Sequence, residues 1–251
     1  MIKLFRNIRK TLINQGKTTN YLKYAIGEIV LVVIGILIAL QVNNWNIERI
    51  DRKSELKYLK NIQQDLQKDL ARLSYLLNFR KERLKGDHKL IEHINGASIV
   101  DVTETTKNVV NSLMEQRFSP NNNTYKELSN SGNLNLISND SIKSLLLELE
   151  ELYKTNTFGI EHETYDYREY ISKPLIEYID YEQLTPVFLG EKTIQEQGIT
   201  TESFDALFKS RAYKNGLYIF SLTSTDMISF YEKIETKSKQ IITMIQKELN
   251  E

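Results

Sequence analysis

The sequence predicts an all-α protein: an N-terminal transmembrane helix that continues into a long helix, followed by an antiparallel helical bundle. Three observations lead there. A long apolar run follows a cationic leader. Beyond it, apolar residues recur at three- and four-residue steps for most of the chain. Pro and Gly are scarce, three and ten in 251 residues, too few for a turn-rich β sandwich. The strand signal is confined to Val187–Leu189.

Taken in order, residues 1–20 form a basic leader. Ile2, Leu4, Phe5, Ile8 and Leu12 fall on one helical face, with Lys3, Arg6, Arg9 and Lys10 on the rest, the pattern of an amphipathic helix lying on an anionic bilayer surface. Residues 21–46 are the expected span. Ile29 to Leu40 is an unbroken apolar dozen. With its flanks the run can cross a hydrocarbon core of about 30 Å. Tyr21, Tyr24 and Trp45 stand where interfacial aromatics belong. No A-x-A site follows the run, which favours an uncleaved anchor over a secretory signal. Residues 47–251 are then the outer helical domain.

Within that domain, Leu56, Leu59, Ile62, Leu66, Leu70, Leu73 and Leu77 carry the helical period to about Lys85, where Gly86 predicts a stop. A short helix over 88–95, ended by Gly96, and an amphipathic one over 103–116 follow. Ser119–Asn123 reads as a loop. A helix from Thr124 closes at Gly132, and Asn139 or Asp140 caps the next, whose apolar face is Ile142, Leu145, Leu146, Leu149, Leu152 and Tyr153. Pro174 either starts or kinks a helix. Residues 183–200 are the expected mobile loop. Helices over 201–212 and 224–249 finish the chain, the last one packing along the first.

Charge orients the molecule. Net charge is zero, but the first 24 residues hold six basic side chains and no acidic one, leaving 27 basic against 33 acidic in the rest. The positive-inside rule puts the N terminus in the cytoplasm. In a bacterium the outer domain is then periplasmic, anchored to the inner membrane. Nucleic acid is not an expected partner, because the basic leader has no aromatic stacking set.

Chemistry-bearing patterns are few. Cys is absent, which excludes disulfides, thiolate metal sites and a Cys nucleophile. No phosphate-binding or nucleophile-elbow motif occurs, and no catalytic residue or cofactor is expected. Ser54 and Lys57 match an S-x-x-K spacing with no companion motif. His162 lies among Glu161, Glu163 and Asp166, a solvated acidic face. Glu28 is the sharpest feature, an ionisable side chain at the start of a span. At 100° per residue it shares a face with Gly35 and Ala39, a small-xxx-small pattern that lets another helix approach closely. Tyr165, Tyr167 and Tyr170 are candidates for a ligand pocket, each joining an apolar ring to a polar tip.

Two stretches carry a resemblance. Tyr24 to Asn46 (YAIGEIVLVVIGILIALQVNNWN) and Thr124 to Ser138 (TYKELSNSGNLNLIS) resemble the recurring segments of an uncharacterised family of single-span inner-membrane proteins of Bacteroidota. The resemblance implies a helical periplasmic region and no assigned activity. The expected function is a scaffold or accessory protein working by homo-oligomerisation or by docking another membrane protein. The alternative is a ligand-sensing bundle that signals through a partner.

Overall fold

The computed structural model describes residues 18–250. The amphipathic leader and the side chains of Tyr21 and Tyr24 lie outside the described residues. Every regular element described is helical. Contacts divide the chain between Leu56 and Lys57, and each unit is taken by itself. The first helix, α1, is continuous over Thr18–Ile94. In the first unit it carries the apolar run, fully exposed from Ile29 to Leu40.

The second unit adds α2 (Val102–Ser112), α3 (Asn123–Asn130), α4 (Asp140–Asp166), α5 (Lys173–Tyr178), α6 (Tyr181–Phe188), α7 (Asp205–Lys209) and α8 (Arg211–Asn250). Side-chain carboxylates and amides start three of them. Asp101 accepts from Thr103 and Glu104, Asn139 from Ser141 and Ile142, and Asp180 from Glu182, satisfying amides that no helical turn can reach. Gly132 closes α3 with φ +72°, as its position past the C terminus requires.

Three long helices form the frame. On α1 the pairs Asp69–Tyr153 and Arg80–Glu163 advance together along α4, so these two helices run the same way. The pairs Arg80–Tyr231 and Asn95–Lys214, like Glu148–Lys237 and Asn139–Glu248, set α8 antiparallel to both. One apolar core gathers Leu59 to Leu77 of α1, Ile142 to Tyr153 of α4 and Met227 to Ile245 of α8. A second joins Leu90 and Ile91 to Val109, Ile171, Leu175, Leu184, Phe204, Leu207, Tyr213 and Leu217.

Several boundaries differ from those expected. Gly86 does not end α1. It sits where Asn108 of α2 packs against the helix, and a Cβ there would lie 2.8 Å from the Asn108 side chain. Glycine here serves close approach rather than termination. Gly216 does the same in α8, which starts thirteen residues earlier than expected, at Arg211, with the Ser210 hydroxyl accepting from the Tyr213 amide. The expected helix over 201–212 is a 3₁₀ turn, Thr201–Phe204, followed by the short α7.

Pro174 stands in the first turn of α5, Lys173–Tyr178, so of the two alternatives it starts a helix. Residues Tyr167–Ser172 form a π-helical insertion that bridges α4 and α5. Pro174 lacks the N–H that would close an α-turn on the Tyr170 carbonyl, and the wider turn absorbs the defect. That carbonyl is then displaced toward α8, where only a glycine fits: a Cβ on Gly216 would lie 2.4 Å from it. The strand signal at Val187–Leu189 is overturned, since α6 runs through Pro186 to Phe188. The irregular stretch narrows to 189–200, and it is pinned by Ile194 and Ile199, both buried in the second core.

Gly216→Ala is expected to lower stability by about 1–3 kcal/mol through overpacking, against the gain of about 1 kcal/mol that Ala brings to a helix interior. Gly86→Ala, facing a side chain that can swing aside, should be close to neutral. Thermal and denaturant unfolding of the two variants separates them, and equal effects would contradict the backbone contact at Gly216.

Candidate functional site

The sequence points first to the span. Glu28, Gly35 and Ala39 lie on the described part of α1. Glu28 is partly exposed and Ala39 exposed, and nothing lies within 4 Å of where a Gly35 Cβ would stand. Trp45 is exposed, with the Arg49 guanidinium 5.6 Å from its ring centre. Ser54 of the S-x-x-K match gives its hydroxyl to the Ile50 carbonyl, an ordinary helical back-bond.

The three tyrosines do not converge. Tyr165 and Tyr170 meet edge to face at 6.4 Å. Tyr167 instead donates to the Leu113 carbonyl at 2.7 Å. His162 meets the Phe158 ring edge to face at 4.8 Å, while neighbouring Glu163 is buried and turned inward. Among the described residues no cluster of metal-ligating side chains forms.

What the apolar pattern concealed is a polar layer in the middle of the bundle. Along α1 of the second unit the most deeply buried side chains are Leu59, Ile62, Leu66, Asp69, Leu73, Leu76, Arg80, Arg83, Asp87 and Leu90, all at 4 % exposure or less. Their spacing alternates strictly between four and three. Four of the ten are charged. The apolar stripe tracked in the sequence drifts through Leu70 and Leu77 because it skips the charged residues that hold true core positions. The signal was available: Arg80, Arg83 and Asp87 continue the step of Leu73 and Leu76.

These side chains answer a backbone problem. After α2 the chain crosses the frame without regular structure from Met114 to Asn122, so its amides and carbonyls need other partners. Arg83 donates to the carbonyls of Ser112 at 3.0 Å and Met114 at 2.7 Å, which ends α2 four residues short of its expected limit. Phe118 is buried between Tyr153 and Tyr231, at 6.0 and 5.9 Å. Its amide donates to the Tyr231 hydroxyl and its carbonyl accepts from Asn156. The Asn121 amide donates to both oxygens of Asp69, and the Asn121 side chain donates to Asp65. Every long helix thus contributes a polar group to one strap.

Arg80 completes the layer. It chelates Glu163 through two bonds of 2.5 and 2.7 Å, lies 5.1 Å from the Tyr231 ring centre and reaches the Ser224 hydroxyl at 3.4 Å. Burial alone would pull its guanidinium down, but the Glu163 hydrogen bonds and charge reverse this and raise it. Burial pushes the Asp69 carboxyl up, with the Asn121 amide and the Tyr153 hydroxyl opposing. Burial pulls Arg83 down despite Asp87 nearby.

Two shallow crevices, with cavity volumes of about 20 and 10 Å³, flank the strap. The first lies between Leu66, Asn121 and Leu146, the second between Arg80, Arg83 and Arg117. Both are far too small for a small-molecule site, with room for about one water molecule.

Removing one member of a buried ion pair strands the other charge. Glu163→Leu should therefore cost about 3–5 kcal/mol, and adding Arg80→Leu should recover most of that loss. A double variant no more stable than the single would show that the pair is not the dominant tie. Chemical denaturation of the three proteins measures it.

No curated protein and no solved structure matches the chain. A family model does match, over residues 28–173, and its description is a family of unknown function. That segment contains the expected span from Glu28 onward, the strap and the buried charged residues of α1 and α4. The chain belongs to this family, DUF6090.

Proposed function

We propose that the chain is a single-span protein of a bacterial inner membrane, with its N terminus cytoplasmic and its second unit periplasmic, that acts by association and not by catalysis. One observation carries this reading. The first unit holds a helical window apolar enough to cross a membrane, and none of it is buried. A core helix of a soluble protein would have its apolar face covered by its own chain. Here the run from Ile29 to Leu40 is exposed among the described residues, which favours a covering of another kind, and a bilayer supplies one of the right thickness. The six basic residues before it, with none acidic among them, favour an inside N terminus.

The association face of this proposal is Glu28, Gly35 and Ala39. Its small side chains allow a second copy, or a helix of another membrane protein, to come close enough for dispersion contacts and for a hydrogen bond to the carboxyl. The strapped bundle of the second unit then serves as a rigid body that the anchor holds at the membrane surface.

Carbonate extraction should leave the full-length protein in the membrane pellet. Mass photometry of detergent-solubilised protein should give a mass above one copy, and Gly35→Ile should reduce it. Recovery in the soluble fraction overturns the anchor, and a monomer unaffected by Gly35→Ile overturns the face.

A further inference from the structure

Asp87, unlike Asp69 and Arg83, makes no hydrogen bond to the strap. It is 1 % exposed, and neither carboxylate oxygen has a hydrogen-bond partner among the described residues. The donors around it are committed elsewhere. Both terminal nitrogens of Arg83 go to the Ser112 and Met114 carbonyls, leaving its Nε 3.7 Å from Asp87 Oδ2, beyond hydrogen-bond range. The Ser112 hydroxyl donates to the Val109 carbonyl at 2.7 Å. The 3.1 Å contact between Tyr213 and Ser112 must then use the tyrosine proton, which is unavailable to Asp87. A buried carboxylate held by charge alone, with no hydrogen bond, is a costly anion and a tolerable acid.

We propose that Asp87 is a reversible proton-binding site that sets how tightly the second core is packed, closing it in mild acid and loosening it as the pH rises.

The groups facing this site are known from each element. Arg83 and the exposed His88 are on α1, Tyr213 is on α8, and Tyr167 and Tyr181 act on Arg83 and Tyr213 from the π segment and α6. Burial pushes the Asp87 carboxyl up to about 6, with Arg83 and then His88 pulling the other way. An unfolded aspartate titrates near pH 3.9, so the packed state binds this proton more tightly than the open one. Its stabilising effect is complete below about pH 4 and is lost as the pH rises through about 6, roughly a tenfold change in the opening equilibrium between pH 8 and 5. The elements that feel it are those of the second core, Leu90 and Ile91 on one side and Leu207, Tyr213 and Leu217 on the other. The device is independent of where the protein resides.

Hydrogen exchange of the full chain in detergent, at pH 8, 6.5 and 5 and corrected for intrinsic rates, tests it. Protection over residues 205–217 should rise about tenfold from pH 8 to 5 in the wild type. Asp87→Asn should hold the high value throughout, and His88→Gln should behave as wild type. A flat wild-type profile, an unchanged rise in Asp87→Asn, or loss of the rise in His88→Gln overturns the proposal. If Asp87→Asn does not fold, Asp87→Ser replaces it with the same two outcomes.

Discussion

The structure of the second unit depends on the need to satisfy a backbone. Between α2 and α3 the chain crosses three packed helices without helical hydrogen bonds of its own, and an unpaired buried amide or carbonyl costs about 1–3 kcal/mol. Water cannot serve groups that lie against Phe118, which is 1 % exposed. The helices serve them instead, through Asp69 and Arg83 of α1, Asn156 of α4 and Tyr231 of α8. Polar residues at core positions are therefore the condition on which the crossing is possible.

That condition explains which parts of the fold were legible in the sequence. Local signals were read correctly where one residue does one job. Asn139 caps α4 because its carboxamide reaches the Ser141 and Ile142 amides, and Gly132 ends α3 because its φ of +72° suits glycine. Residues whose reason lies far along the chain were misread. Gly86 looks like a helix break, yet it faces Asn108, and Gly216, inside a stretch expected to lie between two helices, faces Tyr170, contacts that no local window contains. Pro174 does mark a boundary, the start of α5, but the π turn before it, whose Tyr170 carbonyl faces Gly216 of α8, left no local signal.

The candidate sites divide in the same way. The candidate span and its small-residue face could be proposed from sequence because a bilayer imposes a length and a composition on any helix that crosses it. The polar layer was missed, because Arg80, Arg83 and Asp87 resemble the exposed charges around them. Only their place in the alternating step of four and three separates Arg80 from Lys81, whose partner Glu232 is as exposed as itself. Charge type carries no burial information by itself, whereas charge at a core register does.

Within the layer, the charged residues are not equivalent. A buried ion pair is often matched or bettered by apolar side chains of similar size, so the bond between Arg80 and Glu163 could in principle be given up as a pair. Arg83 could not be, because its donors satisfy two carbonyls that would otherwise be stranded. Asp87 is different from both. It supplies no hydrogen bond to the strap, and its attraction to Arg83 acts across 3.7 Å while its solvation is lost entirely. A leucine at that register would satisfy packing at lower cost. What leucine cannot do is change its charge, and the position of Asp87 beside the second core makes that change the one property its burial leaves to it.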